Sequence, residues 1–251
     1  DIINECWNKN ILPSELEYAE VVTLYKKGKV ENPANYRPIS LLNVLYKLLT
    51  SLIQVRMATA IDNRLSDLQF GFRQKRSTCQ PLFIARRIQD FAEASGDKLF
   101  LVFLDWEKAF DKIDQEMMVQ AIDRLNVPEK LTQMLTAIYK NPQFCIRDPE
   151  GNSSWRKQRA GIRQGCPLSP YLFICLMTVM FSDIHWKVGH KIAGNHIDCF
   201  NFWELIYADD TMLIGNRARE INILLAEIET ECAKYNPKLN YGKCNYIAMN
   251  G

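Results

Sequence analysis

A chain of 251 residues, 47% of them hydrophobic, can bury the core of one large domain or two small ones, which excludes bulk disorder. Lys and Arg number 31 against 29 Asp and Glu, so a net charge of +2 announces no polyanion partner by itself. The eight cysteines (Cys6, Cys79, Cys145, Cys166, Cys175, Cys199, Cys232 and Cys244) form no C-x-x-C pair, and His185, His190 and His196 complete no zinc pattern with them, which excludes a zinc module and a redox dithiol.

Residues 1–20 are amphipathic, with Trp7, Ile11, Leu12 and Leu16 as packing positions. Val21–Tyr25 reads as a short strand that delivers Lys26 and Lys27 before Gly28 and a polar turn at Asn32-Pro33. Apolar positions from Leu41 to Ile61 recur at helical spacing. After Gln69-Phe70-Gly71-Phe72-Arg73 comes a helix from Cys79 to Ala94, with Ser77-Thr78 as its cap. Residues 21–87 hold twelve Lys or Arg and only three acids, a local excess suited to a surface that follows phosphates.

Leu99–Leu104 is a continuous apolar strand that runs into Asp105. Helices are expected at Gln115–Leu125 and Pro128–Tyr139, then a hairpin whose arms, 143–147 and 153–159, flank Asp148-Pro149-Glu150-Gly151-Asn152. Gly161–Pro170 opens a helix that reaches Trp186, residues 189–202 carry no assignment, and Arg217–Tyr235 is a helix stopped by Pro237. Between them, Leu205–Ile214 is two apolar arms around Asp209-Asp210, a β-hairpin with an acidic tip. Adjacent carboxylates repel, and a hard cation such as Mg²⁺ relieves that repulsion. A strand ending in Asp105 beside this hairpin would let Asp105 and Asp209 share a metal pair, as two-metal phosphoryl transfer requires.

Four motifs stand in a fixed order: Asn35–Leu42; Asp105 with Ala109-Phe110-Asp111; Gln164-Gly165-Cys166-Pro167-Leu168-Ser169-Pro170; and Tyr207-Ala208-Asp209-Asp210. Together they resemble a reverse transcriptase, and the first and third resemble the non-LTR retrotransposon (LINE-type) branch. The resemblance runs from about residue 20 to about residue 250. It implies catalytic, metal-binding roles for Asp105, Asp209 and Asp210, with two Mg²⁺ ions for which Mn²⁺ can substitute. It implies nucleotide contacts from Lys26 or Lys27, Arg37, Phe110, Gln164 and Lys243. Arg37 would fork onto phosphate oxygens, and the Phe110 ring would clash with a ribose 2′-hydroxyl. Arg73, Lys75, Arg76, Arg163, Gly165 and Tyr207 would face template and primer. Asp111 is expected to cap or hydrogen-bond rather than hold metal.

The implied fold is α+β, the fingers and palm of a right-hand polymerase, with an antiparallel palm sheet, helices packed on one face, and the thumb absent. Residues 1–98 are expected to begin the fingers, 99–125 the palm, 126–165 to connect fingers and palm, and 166–251 to complete the palm. The implied activity is RNA-directed DNA polymerisation, in which a primer 3′-hydroxyl attacks a dNTP. The alternatives are a group II intron maturase-like enzyme, another palm polymerase, or a catalytically dead RNA-binding palm. Expected partners are an RNA template, a DNA or RNA primer, dNTPs and the rest of a larger polyprotein, with a thumb and an endonuclease among its candidate parts. No membrane is expected, since the longest strongly apolar run, Tyr171–Phe181, is too short to span one. The expected setting is intracellular, in nucleus and cytoplasm.

Overall fold

The computed structural model describes residues 2–192 and 202–250. Cys199, His196 and most of the unassigned stretch after Gly189 lie outside the described residues. The chain forms two compact units, each assembled from two separate pieces: Asp1–Asn63 with Phe110–Leu172, and Arg64–Ala109 with Phe173–Gly251.

The first unit begins with α1 (Ile2–Lys9), α2 (Ser14–Glu17), β1 (Tyr18–Tyr25), β2 (Tyr36–Leu42) and α3 (Val44–Ile61). β1 and β2 pair antiparallel from Ala19↔Leu42 to Tyr25↔Tyr36. The helical run expected from Leu41 therefore starts later. Leu41 and Leu42 belong to β2, and the Asn43 side chain caps α3 by accepting from Leu45 N at 2.8 Å. α3 buries Tyr46, Leu49, Ile53, Met57 and Ile61. Its opposite side exposes Val44, Leu45, Leu48, Leu52 and Val55.

Later elements of this unit are α5 (Ala109–Lys112, which starts at the unit boundary), α6 (Gln115–Asp123), α7 (Glu129–Lys140), β4 (Gln143–Asp148), β5 (Gly151–Asn152) and β6 (Arg156–Lys157). Asp114 caps α6 through Met117 N at 2.9 Å. β4 joins β1 in parallel and carries β5 and β6 antiparallel, giving the order β2-β1-β4-β5 with β6 also on β4.

The second unit contains α4 (Cys79–Ser95), β3 (Leu99–Leu104), most of α8 (Ser169–Val188), β7 (Glu204–Tyr207), β8 (Asp210–Gly215), α9 (Ala218–Tyr235) and β9 (Asn245–Met249). Its sheet runs β7-β8-β3-β9, antiparallel throughout. Leu99, Leu101, Leu205, Met212 and Ile214 from the sheet pack with Phe70 and with Ile88 and Ala92 of α4. This antiparallel sheet with helices packed on it is the expected architecture. β9 carries no alternating apolar signal, and it joins as an edge against β3.

The start of α4 differs in detail from expectation. Thr78 makes no side-chain cap, and the Gln80 side chain instead reaches back to accept from Ser77 N at 2.9 Å. Gly96 ends the helix in the left-handed conformation, φ 76°. The unit boundaries also differ from the expected segmentation. Residues 64–98 pack with the β7-β8-β3-β9 sheet, because α4 and Phe70 supply part of its core. Residues 110–125 pack with the first unit.

α8 runs 20 residues, longer than its apolar centre suggested, and with Val44–Arg64 it is long and apolar enough to cross a membrane. Most of the α8 window is buried inside the protein, 72%, against 33% for Val44–Arg64.

Candidate active site

Antiparallel pairing brings the three aspartates to neighbouring strand ends. Leu104 of β3 stands opposite Thr211 of β8, so Asp105 leaves its strand beside Asp210. Tyr207 pairs with Asp210 across the hairpin, which leaves Ala208 and Asp209 as a two-residue turn. Ala208 has φ 59°, a left-handed backbone that costs a non-glycine residue roughly 1–2 kcal/mol. Asp209 and Asp210 are exposed, and Asp105 is half-buried. Partial burial and the charges of Asp209 and Asp105 raise the Asp210 carboxyl above its ordinary value.

Asp105 is tied down on both sides. Trp106, buried, donates its indole N–H to Thr211 Oγ1 at 3.1 Å. The Asp105 carbonyl accepts from Asn240 N at 2.8 Å, and its amide faces Cys244 Sγ at 3.5 Å. Lys243 Nζ lies 3.6 Å from Asp105 Oδ2 and provides a cation at the acidic cluster. Among the described residues no three His, Cys, Asp or Glu side chains close into a metal cage. An open set of carboxylates without thiol or imidazole matches the donor chemistry of Mg²⁺, which keeps waters and substrate phosphates among its ligands.

Tyr207 packs against the α4 side of the sheet and lines a cleft of about 320 Å³ with Leu82, Phe103, Asp210 and Met212. The basic trio after Gly71 divides by burial. Arg73 is turned inward, 9% exposed, and donates to the Ser66 and Gln69 carbonyls at 2.7 and 3.2 Å. Arg76 pairs with Asp67 at 3.0 Å and sits over the Phe70 ring, while Lys75 is exposed. Gln69 carried no functional expectation, yet it is fully buried and its side chain bonds the Ala208 backbone. The available signal was one amide between apolar neighbours, Leu68 and Phe70.

The first unit gathers a second group of expected site residues. Leu24↔Arg37 pairing sets Arg37 near the hairpin end that carries Lys26 and Lys27, all three exposed. That tip is built rather than loose. Tyr25 donates to the Gly28 carbonyl at 2.6 Å, Asn35 to that of Lys29 at 2.7 Å, and Tyr36 to that of Val30 at 2.9 Å.

Gln164 donates through Nε2 to Asp111 Oδ1 at 2.7 Å, so Asp111 has the hydrogen-bond role expected of it. The Gln164 carbonyl accepts from Ser40 N at 2.7 Å, which seats the loop on β2. The Phe110 carbonyl accepts from Ile162 N at 2.7 Å and joins the same cluster. Gly165 has φ 112°, and a Cβ there would stand 2.8 Å from the Ser40 carbonyl oxygen.

Arg163, expected at the template, is 3% exposed. Its guanidinium lies over the Tyr46 ring, 5.0 Å from the centroid, and donates to the carbonyls of Glu17 and Gln143. It ties α3 to the end of α2 and the start of β4 as an internal strut.

An antiparallel sheet with aspartates at the ends of two paired strands is the palm of a right-hand polymerase. Solved structures share the fold. An apo telomerase from Candida Tropicalis superimposes over 100% of this chain and 55% of its own, with TM-score 0.67 and 14% identity. The chain belongs to the reverse transcriptase family: the family described as reverse transcriptase (RNA-dependent DNA polymerase) matches residues 25–250. The RNA-directed DNA polymerase from mobile element jockey of Drosophila funebris is 30% identical over 257 residues, covering 99% of this chain. The "Probable RNA-directed DNA polymerase from transposon BS" of Drosophila melanogaster is 29% identical over 250 residues, covering 95%. The chain spans 27% and 26% of these two curated relatives and is similar to one part of each.

Proposed function

We propose that this chain carries out template-directed nucleotidyl transfer, in which a primer 3′-hydroxyl attacks the α-phosphate of a dNTP on an RNA template and pyrophosphate leaves. The observation that carries this reading is the pairing of β3 with β8, which sets Asp105 beside the Asp209-Asp210 turn. Asp105 and Asp209 would hold two Mg²⁺, or Mn²⁺, with Asp210 in support. Such ions, when bound, stabilise charge on the attacking and leaving oxygens. Partial burial first, then the charges of Asp209 and Asp105, raise the Asp210 carboxyl, and a cation would offset both costs.

Lys26 or Lys27, with Arg37, would neutralise the triphosphate, since all three are exposed at one hairpin end. Gln164 and Gly165 would lie against the nucleotide, and Phe110 would exclude a ribose 2′-hydroxyl. Lys75 and Arg76 would track template phosphates, and Tyr207 would meet the primer end. Lys243, already beside Asp105, would stabilise the departing pyrophosphate. Arg73 and Arg163 would act indirectly, by holding loops and strands in place. The partners would be RNA template, primer and dNTPs within a larger polyprotein, since three R2 relatives of this chain are named as Pol polyproteins. Work on an RNA template that yields DNA suits an intracellular setting, in nucleus and cytoplasm.

Primer extension on an RNA template with Mg²⁺, with dNTPs and NTPs offered separately, tests the proposal beside Asp209→Asn. Metal-dependent dNTP addition that the variant loses is the expected result. Undiminished extension by the variant would remove Asp209 from the site, and preferred NTP addition would redirect the reading to an RNA polymerase.

A further inference from the structure

Gln69 has 0% exposure, and its carboxamide is spent on backbone groups. Oε1 accepts from Gly71 N at 2.8 Å and from Ala208 N at 3.0 Å, and Nε2 donates to the Ala208 carbonyl at 3.4 Å. One side chain thus engages both backbone polar groups of the residue that precedes Asp209. The backbone around it runs beside β7, with Phe70 N donating to the Ile206 carbonyl at 2.8 Å and Ile206 N to that of Leu68 at 2.9 Å. Gly71 closes the contact, because a Cβ there would fall against Ala208 N and stand 2.9 Å from Ala208 Cα.

A buried glutamine can simply satisfy the nearest backbone, and such an amide would do no more than stabilise the fold. Here the residue it satisfies is the strained member of a two-residue turn, with φ 59°. Two adjacent carboxylates follow that residue and repel each other, which favours an opened turn. Left to itself the tip would relax.

We infer that Gln69 is a positioning residue: its carboxamide, with the bare face of Gly71, locks Ala208 so that Asp209 and Asp210 stand ready beside Asp105. This rests on the reading of those aspartates as divalent-metal ligands. The role is preorganisation, in which a buried hydrogen-bonding partner orients the ligand-bearing segment before the ion arrives.

The test uses Mn²⁺ alone as probe, titrated into the full chain and followed by electron paramagnetic resonance, with amide exchange at Ala208 read separately. Gln69→Met keeps the side-chain volume and removes both acceptor bonds. Ile88→Val, in the core of the same unit, is the control for general destabilisation. Gln69→Met is expected to weaken Mn²⁺ binding about tenfold and to speed exchange at Ala208, while Ile88→Val changes neither, whatever its melting temperature. Gln69→Glu keeps an oxygen acceptor for the Gly71 and Ala208 amides and is expected to retain both readouts at a pH where its carboxyl is protonated. Unchanged Mn²⁺ affinity with a protected Ala208 amide in Gln69→Met, or equal weakening in Ile88→Val, overturns the inference. A wild-type chain that binds no Mn²⁺ while Ala208 stays protected overturns the metal reading, and the positioning role falls with it.

Discussion

Gly165→Ala separates the loop's backbone geometry from its chemistry. Two costs are visible. The φ of 112° lies where side chains are strained, which costs roughly 1–3 kcal/mol. The new Cβ would also stand 2.8 Å from the Ser40 carbonyl oxygen, so loop or strand must shift, and such overpacking costs about 1–3 kcal/mol. A middle value for their sum, about 4 kcal/mol, corresponds to a melting temperature about 8–16 °C lower for a chain of this size. The shift has a direction. It pushes the Gln164–Gly165 segment off β2 and strains the bond from Ser40 N to the Gln164 carbonyl. The assay pairs thermal melting with steady-state primer extension at several dNTP concentrations. The expected outcome is a lower melting temperature together with a KM for dNTP raised at least about tenfold. A variant that melts within about 1 °C of wild type would refute the strain argument. One that is destabilised but keeps its KM would refute the claim that this loop meets the nucleotide.

Other expectations concern pH and sugar selection. Burial lowers the affinity of His185 for a proton, but the 2.8 Å hydrogen bond to buried Glu204 and the charge of Glu204 outweigh it, so the imidazole titrates above 6.5. The pair's contribution is therefore fully present below about pH 6.5 and lost as pH rises through the folded value. Glu204→Gln should lower stability by about 1 kcal/mol on the acid side, a charge-assisted bond discounted for the partly exposed imidazole, and by less towards pH 9. Urea melts across that range check it, and a gap that widens with pH would contradict the assignment. Phe110→Val should raise NTP use relative to dNTP by about 10–100-fold if a ring-to-ribose clash of roughly 1–3 kcal/mol sets the preference. Unchanged discrimination in competition assays would place the sugar elsewhere.

The strands that carry the acids were readable because their signal is local. An unbroken apolar run into Asp105, and two apolar arms around Asp209-Asp210, allow few arrangements other than paired strand ends. Leu41 and Leu42 misled because they fit the apolar spacing of the helix that follows, and only the Asn43 cap separates them from it. β9 had no pattern to read, since its side chains are largely exposed and its place depends on β3. Charge was the least reliable guide. Arg73 and Arg163 look in sequence like the other basic residues, yet both face inward onto backbone carbonyls. Gln69 showed only as a lone amide between apolar neighbours, because its partner at the acidic turn, Ala208, is 139 residues away.

The interleaving of the two units sets a timetable for synthesis. β1 pairs at once with β2, but its other partner, β4, ends at Asp148. β3 is complete at Leu104, whereas its neighbours β8 and β9 begin at Asp210 and Asn245. At roughly 5–20 residues per second, β3 therefore waits about 5–20 seconds for its first partner. Throughout that interval Leu99–Leu104 is a six-residue apolar strand with no charge and no proline, the pattern most prone to pair with a stranger. Shielding Leu99–Leu104 until β8 emerges closes this route to mispairing.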